Sequence, residues 1–189
     1  MKPSILYINA CVRPQSRTAR LAEALLERLG GPRQELRLAE IDFPTVDGAW
    51  LEKRDGLLAR GRLDDPMFDL ARQFAAAEII VIAAPYWDLS FPAMLKQYLE
   101  RVNVVGITFK YSQEGVPVGL CRGRRIYYVA TAGGTWAPEE YGFGYVRALA
   151  RGYYGIQDVR KLEALGLDIV GADAEAILRQ AEAGIPALV

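Results

Sequence analysis

The chain has 189 residues, of which 51% are hydrophobic, and its 23 basic and 23 acidic residues leave no formal net charge. This balance argues against nucleic acid or a membrane surface as a partner. With no histidine and only two cysteines, the chain lacks Ser-His and Cys-His nucleophile pairs and a disulfide scaffold, and it offers a poor ligand set for zinc or iron. Enzymatic chemistry would therefore need a bound cofactor or an unusual nucleophile.

The sequence alternates strand and helix patterns from its start. In chain order we predict strands at 4–8, 35–38, 78–84, 125–131 and 161–167, and helices at 18–29, 49–60, 66–76, 92–101, 141–154 and 172–183. Asp65 is predicted to cap the third helix, with Pro66 at its first position. Segments 107–111 and 115–119 predict a hairpin-like excursion between the fourth helix and the fourth core strand.

This alternation predicts an α/β fold with a five-stranded parallel sheet in the order 2-1-3-4-5, covered by helices on both faces. No repeat or linker divides the chain, so we predict one domain over residues 1–189. The chain begins directly with a strand pattern, without an apolar signal segment, and no apolar run is long enough to cross a bilayer. We therefore expect a cytoplasmic protein.

The loop after the first strand has the features of a phosphate site. It precedes a helix, whose N-terminus presents free N–H groups and a partial positive charge. Ser16 and Thr18 add hydroxyl groups, and Arg17 or Arg13 adds charge. The alternative interpretation is an ordinary helix cap by Ser16 or Thr18, with the arginines in solvent.

Two further loops follow predicted strands at the same edge of the sheet. The segment 85–91 carries Tyr86 and Trp87, whose aromatic surface suits a flat ring, and its backbone offers N–H groups to ring heteroatoms. The segment 131–136 contains Gly133 and Gly134, which allow close backbone approach to a ligand. Taken singly, the aromatic residues are also explained by a core or a subunit interface, and the glycines by a plain turn. Because ligands bind at this edge of such sheets, the three loops together predict one binding site.

The three loops, together with Gly106 to Tyr111 and Gly115, resemble the flavodoxin-like, FMN-dependent NAD(P)H:quinone oxidoreductases and azoreductases. The resemblance runs from Ile5 to Ile156 and is strongest from Ala83 to Val102. It implies a flavodoxin-like three-layer sandwich that binds FMN and takes hydride from NADH or NADPH. It also implies a ping-pong, two-electron reduction of quinones, azo compounds or nitroaromatics, carried by the flavin.

The resemblance also assigns cofactor-binding residues, with no side chain in a catalytic or metal-binding role. They are Asn9 at the end of the first strand, Ser16, Arg17 and Thr18 at the FMN phosphate, Pro85, Tyr86, Trp87, Asp88 and Leu89 along the isoalloxazine ring, and Thr131, Gly133 and Gly134 on its pyrimidine side. Asp88 stands where many azoreductases have Asn, and Ala132 where many have Arg.

In that family the substrate slot lies at a homodimer interface, which suggests an interface role for the aromatic residues between the third loop and the next helix. These residues are Trp136, Tyr141, Phe143 and Tyr145. The alternative is that they form a helix face packed on the chain's own core.

Two other functions fit parts of the sequence. Cys11 to Thr18 matches Cys-x5-Arg-Thr, which resembles the phosphate loop of low-molecular-weight tyrosine phosphatases, with Cys11 as nucleophile and Arg17 as phosphate clamp. That loop lacks the glycine and asparagine of those phosphatases, and Pro14 removes an N–H donor. The second alternative is a non-catalytic flavin carrier, although carrier flavodoxins are usually strongly acidic.

Overall fold

A computed structural model of the protein describes residues 2–189. Its strands are β1 (Ile5–Asn9), β2 (Arg33–Arg37), β3 (Ile79–Ala83), β4 (Phe109–Tyr111), β5 (Pro117–Gly119), β6 (Arg125–Thr131) and β7 (Asp158–Ala164). Its α-helices are α1 (Arg17–Leu29), α2 (Gly48–Ala59), α3 (Asp69–Ala76), α4 (Ala93–Val102), α5 (Phe143–Leu149), α6 (Ala174–Ala183) and α7 (Ile185–Leu188).

Five of these strands form one parallel sheet in the order β2-β1-β3-β6-β7. Since β6 and β7 are the fourth and fifth strands of this sheet, the predicted order 2-1-3-4-5 is confirmed. β4 and β5 pair antiparallel and form the predicted hairpin outside the sheet. The parallel arrangement brings the carboxyl ends of β1, β3 and β6 to one edge.

The sheet is buried on both faces, which explains why β3 is apolar throughout. Ile80 and Ile82 pack into a core with side chains of α3, α4 and α5. The alternate residues Ile79, Val81 and Ala83 pack into a second core with side chains of α1, α6 and α7. A strand covered on both sides loses the polar alternation of a half-exposed strand.

The two edge strands lie earlier in the chain than predicted. β2 ends at Arg37, and Leu38 begins a 3-10 turn instead of completing the strand. β7 ends at Ala164, whereas the sequence placed the last strand at 161–167. Each edge strand has one sheet neighbour and carries many charged, partly exposed residues, so its hydrophobic pattern is weak.

Two helices also differ in detail from the prediction. Asp65 caps the segment as predicted, but Pro66–Phe68 form a 3-10 turn before α3 begins. The predicted helix at 141–154 is α5 followed by a π-helical turn at Ala150–Tyr154, which ends at Gly155 in the left-handed conformation. Among residues 2–189, no helix combines the length and the apolar character needed to span a bilayer.

Two buried tyrosines in this fold should respond oppositely to loss of the hydroxyl. The Tyr98 hydroxyl is buried without a partner among the described residues, whereas the Tyr154 hydroxyl donates to Asn103 Oδ1 at 2.7 Å. Tyr98→Phe removes an unsatisfied polar group and should raise the free energy of unfolding by about 1 kcal/mol. Tyr154→Phe removes the hydrogen bond to Asn103 and should lower the free energy of unfolding by about the same amount. Urea unfolding of both variants tests this, and a loss of stability in Tyr98→Phe would contradict it.

Candidate functional site

The three loops predicted from the sequence meet in a cleft of about 230 Å³ at the carboxyl edge of the sheet. The cleft brings together many of the predicted site residues. Its lining consists of Val12, Arg13, Gln15, Ser16, Arg17, Thr18, Pro85, Tyr86, Trp87, Thr131, Ala132, Gly133 and Asp168.

Ser16 is the N-cap of α1. Its Oγ accepts a hydrogen bond from the N–H of Ala19 at 3.2 Å. The N–H groups of Arg17 and Thr18, at the first two positions of α1, have no backbone carbonyl partner, so they are available to a ligand at the cleft. The start of α1 therefore offers backbone donors and the positive end of a helix dipole, as the sequence predicted for this loop.

The side chains of Thr18 and Arg17 connect the first loop to other loops. The hydroxyls of Thr18 and Thr131 are buried and share a hydrogen bond of 2.6 Å, which joins the first and third loops. The Arg17 guanidinium donates to the carbonyl of Leu167 at 3.1 Å and to the carboxylate of Asp168 at 2.8 Å. Both side chains already have protein partners at the positions where the sequence suggested phosphate ligands.

The second loop forms a tight turn. The backbones of Trp87 and Ser90 pair through hydrogen bonds of 3.1 and 2.8 Å. The central residues Asp88 and Leu89 have φ angles of 48° and 70°, which is the pattern of a type I′ turn. Their N–H groups lie outside this paired ladder and are available to a ligand.

The left-handed conformation is costly for leucine, because its Cβ atom comes close to the following carbonyl oxygen. Such strain is commonly found in turns that serve a binding site. Trp87 and Leu89 are 40% and 38% exposed, so the turn presents apolar surface at the mouth of the cleft.

A fourth loop, after β7, also reaches the cleft. The N–H of Asp168 donates to the carbonyl of Gly133 at 3.0 Å, and the carboxylate of Asp168 lies over this glycine. A Cβ atom at Gly133 would be only 2.4 Å from Asp168 Oδ2, whereas one at Gly134 would meet no atom within 4 Å. The close approach at Gly133 is therefore made by Asp168, a protein side chain.

Four of the predicted residues lie outside the lining of the cleft, namely Asn9, Asp88, Leu89 and Gly134. Asn9 lines a neighbouring groove of about 780 Å³ on the other side of the first loop. Its Nδ2 donates to Glu35 Oε1 at 2.9 Å, and its Oδ1 accepts from the N–H of Cys11 at 3.0 Å.

Three residues that line the cleft were not predicted from the sequence: Val12, Gln15 and Asp168. Val12 and Gln15 lie within the first loop, and no pattern marked them. Asp168 follows Gly166, whose φ of 80° turns the chain after β7. A glycine and an aspartate after a strand are a loop signal, which was hidden because the last strand was extended to Leu167.

The aromatic residues suggested for an interface divide into two groups. Trp136 is 73% exposed and Tyr141 is 58% exposed. Phe143 is buried in the core, and Tyr145 packs against that core with its ring 5.8 Å from that of Phe91. Only the first two present open surface.

The environment of Cys11 does not favour a nucleophilic thiolate. Burial raises the pKa of the Cys11 thiol above its usual value, so the thiol stays protonated at neutral pH. Arg17, the phosphate clamp of the phosphatase alternative, is hydrogen-bonded to Leu167 and Asp168.

Among residues 2–189, no group of three or more potential ligand side chains that could hold a metal ion is present.

We expect the Cys11 thiol to react slowly with iodoacetamide at pH 7. The raised pKa keeps the thiolate fraction below that of a free cysteine, so the rate should increase as the pH rises through the shifted pKa. Mass spectrometry of the Cys11 peptide over pH 6 to 10 measures this, with a free cysteine peptide as control. Faster labelling of Cys11 than of the peptide at pH 7 would contradict the expectation.

The sheet order and the position of the cleft define a protein of the flavodoxin-like class. The model of the family described as "Flavodoxin-like fold" matches residues 3–188, so the chain belongs to this family.

Within it, the chain is 34% identical over 186 residues to an FMN-dependent NADH:quinone oxidoreductase of Clostridium beijerinckii, covering 94% of this chain and 93% of the relative. It is 36% identical over 187 residues to FMN-dependent NADH:quinone oxidoreductase 2 of Clostridium acetobutylicum, covering 93% and 92%. The chain therefore belongs to the same family as these oxidoreductases.

Solved structures agree on the fold. An azoreductase from Bacillus anthracis superposes with a TM-score of 0.84 at 24% identity, over 98% of both chains. An FMN-dependent NADH-azoreductase from the same organism, in complex with FMN, gives 0.80 at 23% identity, over 98% of this chain and 99% of that one.

Proposed function

We propose that this protein is an FMN-dependent NAD(P)H oxidoreductase that reduces quinones, azo compounds or nitroaromatics by two electrons. The proposal treats residues 1–189 as one FMN-binding domain. It is supported by relatives that share more than 30% of their residues with this chain over nearly its full length. The observation that carries it is the cleft, which joins the N-terminus of α1 to an exposed aromatic turn.

The donors at the start of α1 fit a phosphate monoester. Backbone N–H groups of the first turn, the helix dipole and the guanidinium groups of Arg13 and Arg17 all favour an anion. Ser16 keeps the helix end in place through its bond to Ala19. We assign the flavin phosphate to this end of the cleft.

The turn from Trp87 to Ser90 fits the flavin ring. Trp87 and Leu89 give an apolar surface, and the N–H groups of Asp88 and Leu89 are available to ring heteroatoms. The cleft is smaller than the 300 Å³ or more that is typical of a cofactor pocket. A bound ring would therefore extend beyond the closed part of the cleft, toward the exposed turn.

When bound, FMN would supply the redox chemistry, namely hydride uptake from a nicotinamide and two-electron transfer to an acceptor. The chain's residues bind and orient the reactants. Trp87 and Leu89 offer an apolar surface beside the ring and the planar substrate, and the turn's backbone donors would orient the ring there. Quinones, azo compounds and nitroaromatics all contain flat conjugated rings, whose faces match such an apolar surface.

We also propose that the protein acts as a homodimer in the cytoplasm. Trp87, Leu89, Trp136 and Tyr141 are exposed large side chains. Trp87 lines the cleft, and the carbonyl of Tyr141 accepts a hydrogen bond from Ser90 in the adjacent turn. A second copy covering this surface would enclose the part of the ring that one chain leaves open. Small-angle scattering measures the molecular mass in solution. A charged residue in place of Trp136 should shift that mass from the dimer toward the monomer.

The proposed function is tested by reconstitution. The protein is incubated with FMN, desalted, and its visible spectrum is recorded before and after anaerobic NADH and, separately, NADPH. We expect retained flavin absorbance that is bleached by a nicotinamide and restored by a quinone. Retained flavin that no nicotinamide bleaches would favour a carrier, and failure to retain flavin would contradict the proposal.

A further inference from the structure

We propose that Asp168 competes with the flavin phosphate for the Arg17 guanidinium, and thereby sets how strongly the protein prefers FMN to riboflavin. The inference rests on the proposed FMN function and concerns the first turn of α1, where the phosphate is assigned. Asp168 is an internal anion at a site that must accept an external one.

Asp168 is held in place by its backbone. Its N–H donates to the carbonyl of Gly133 at 3.0 Å, and the N–H of Leu167 donates to Ala132 at 3.2 Å. The preceding turn is fixed as well, since the N–H of Gly166 donates to Gly134 at 2.9 Å. These bonds extend the pairing of β6 and β7 into the loops, so the backbone of Asp168 is fixed beside the cleft.

Arg17 is the group that Asp168 and a phosphate share. It occupies the first position of α1, beside the free N–H groups of the helix. Two contacts hold its guanidinium toward the loop after β7, 2.8 Å to Asp168 Oδ1 and 3.1 Å to the carbonyl of Leu167. A phosphate at the helix N-terminus gains a bidentate partner only if Arg17 gives up part of this contact.

The balance of charges favours competition. Arg13, Arg17 and Asp168 are the charged residues that line the cleft, so Asp168 cancels about half of its positive charge. The side chains of Arg17 and Asp168 are 35% and 64% exposed. Exposed ion pairs are weak, typically below about 1 kcal/mol, so a phosphate can displace the carboxylate. The displaced carboxylate stays nearby and repels the phosphate.

The same contact has no effect on a flavin without phosphate. Riboflavin places no anion at α1, so its binding requires no exchange at Arg17 and meets no charge repulsion from Asp168. The ratio of the two dissociation constants isolates the phosphate, because the ring and most of the ribityl chain are common to both ligands.

The test measures dissociation constants of FMN and riboflavin by quenching of flavin fluorescence, for the full chain and for Asp168→Asn. Asparagine keeps the size of the side chain and removes its charge. We expect FMN to bind about three- to ten-fold more tightly to the variant at low salt, with riboflavin unchanged. In an Arg17→Gln background the gain from Asp168→Asn should be clearly smaller, because no guanidinium remains to be released and only the repulsion between carboxylate and phosphate is removed.

The other outcomes are distinct. Weaker FMN binding in Asp168→Asn, with riboflavin unchanged, would mean that Asp168 orients Arg17 toward the phosphate, and it would overturn the inference. Equal changes for both flavins would show a general effect on the cleft and overturn it too. If Asp168→Asn raised the FMN affinity equally in the Arg17→Gln background, the effect would be charge repulsion alone, and competition for Arg17 would be overturned. Failure of the unaltered protein to bind either flavin would instead contradict the proposed function.

Discussion

Ser16→Asp should weaken FMN binding by about 10- to 100-fold and leave the fold intact. Ser16 caps α1 through its side chain, and aspartate is an equally good N-cap, so the helix keeps its start. The new carboxylate stands at the N-terminus, where the flavin phosphate is assigned. A loss of about 1.4 to 2.8 kcal/mol corresponds to this range, well within the repulsion of two charges near a protein surface.

The matched control for this prediction is Ser16→Asn, which retains a capping side chain without the charge. FMN should bind to it nearly as it does to the unaltered protein, and riboflavin should bind equally to all three proteins. Fluorescence titration at low and high salt measures these affinities. The loss in Ser16→Asp should shrink at high salt, because ions screen exposed charges. Equal FMN affinity for Ser16→Asp and Ser16→Asn would place the phosphate away from α1.

The fold was predictable because its central strands carry an unmistakable pattern. The run Ile79–Ala83 is apolar on both faces, as a strand of a parallel sheet covered on both sides requires. Edge strands have one sheet neighbour and fewer buried side chains, so their hydrophobic pattern is diluted by charges. For this reason β2 and β7 were found, but their ends were misplaced by a few residues.

The candidate site was predictable to the extent that sheet topology fixes it. The loops after β1, β3 and β6 must lie at one edge, and the structure brings them together. Topology does not give the direction of a side chain. Asn9 ends β1 as expected, yet it turns toward Glu35 on the neighbouring strand and away from the cleft.

Contacts between distant parts of the chain also could not be predicted from the sequence. Arg17 and Asp168 are separated by 151 positions, and no local pattern pairs one arginine with one of many aspartates. The sequence predicts that a ligand approaches Gly133 closely, but a glycine in a sequence does not tell which atom approaches it. Only the three-dimensional structure identifies Asp168 as that neighbour.

Gly119→Ala should lower the free energy of unfolding by about 2 to 4 kcal/mol. Gly119 ends β5 and packs against the backbone at the end of the π-helical turn. A Cβ atom there would lie 2.2 Å from the carbonyl carbon of Tyr154 and 2.3 Å from the nitrogen of Gly155. Because both atoms belong to the backbone, no side-chain rotation relieves the clash. The hairpin of β4 and β5 must move away, which would disturb the stacking of Phe109 on Tyr153 at 4.6 Å.

The matched control for Gly119→Ala is Gly152→Ala. Gly152 lies in the π-helical turn against which Gly119 packs. A Cβ atom at Gly152 would meet no atom within 4 Å, and alanine is favoured over glycine in helical backbone by about 0.5 to 1 kcal/mol. The two substitutions add the same methyl group, so urea unfolding should show a loss at 119 and a small gain at 152. A loss below about 0.5 kcal/mol at Gly119 would mean that the hairpin shifts easily. In that case the contact between β5 and the turn at Tyr154 would contribute little to the fold, and the glycine at 119 would not be required there.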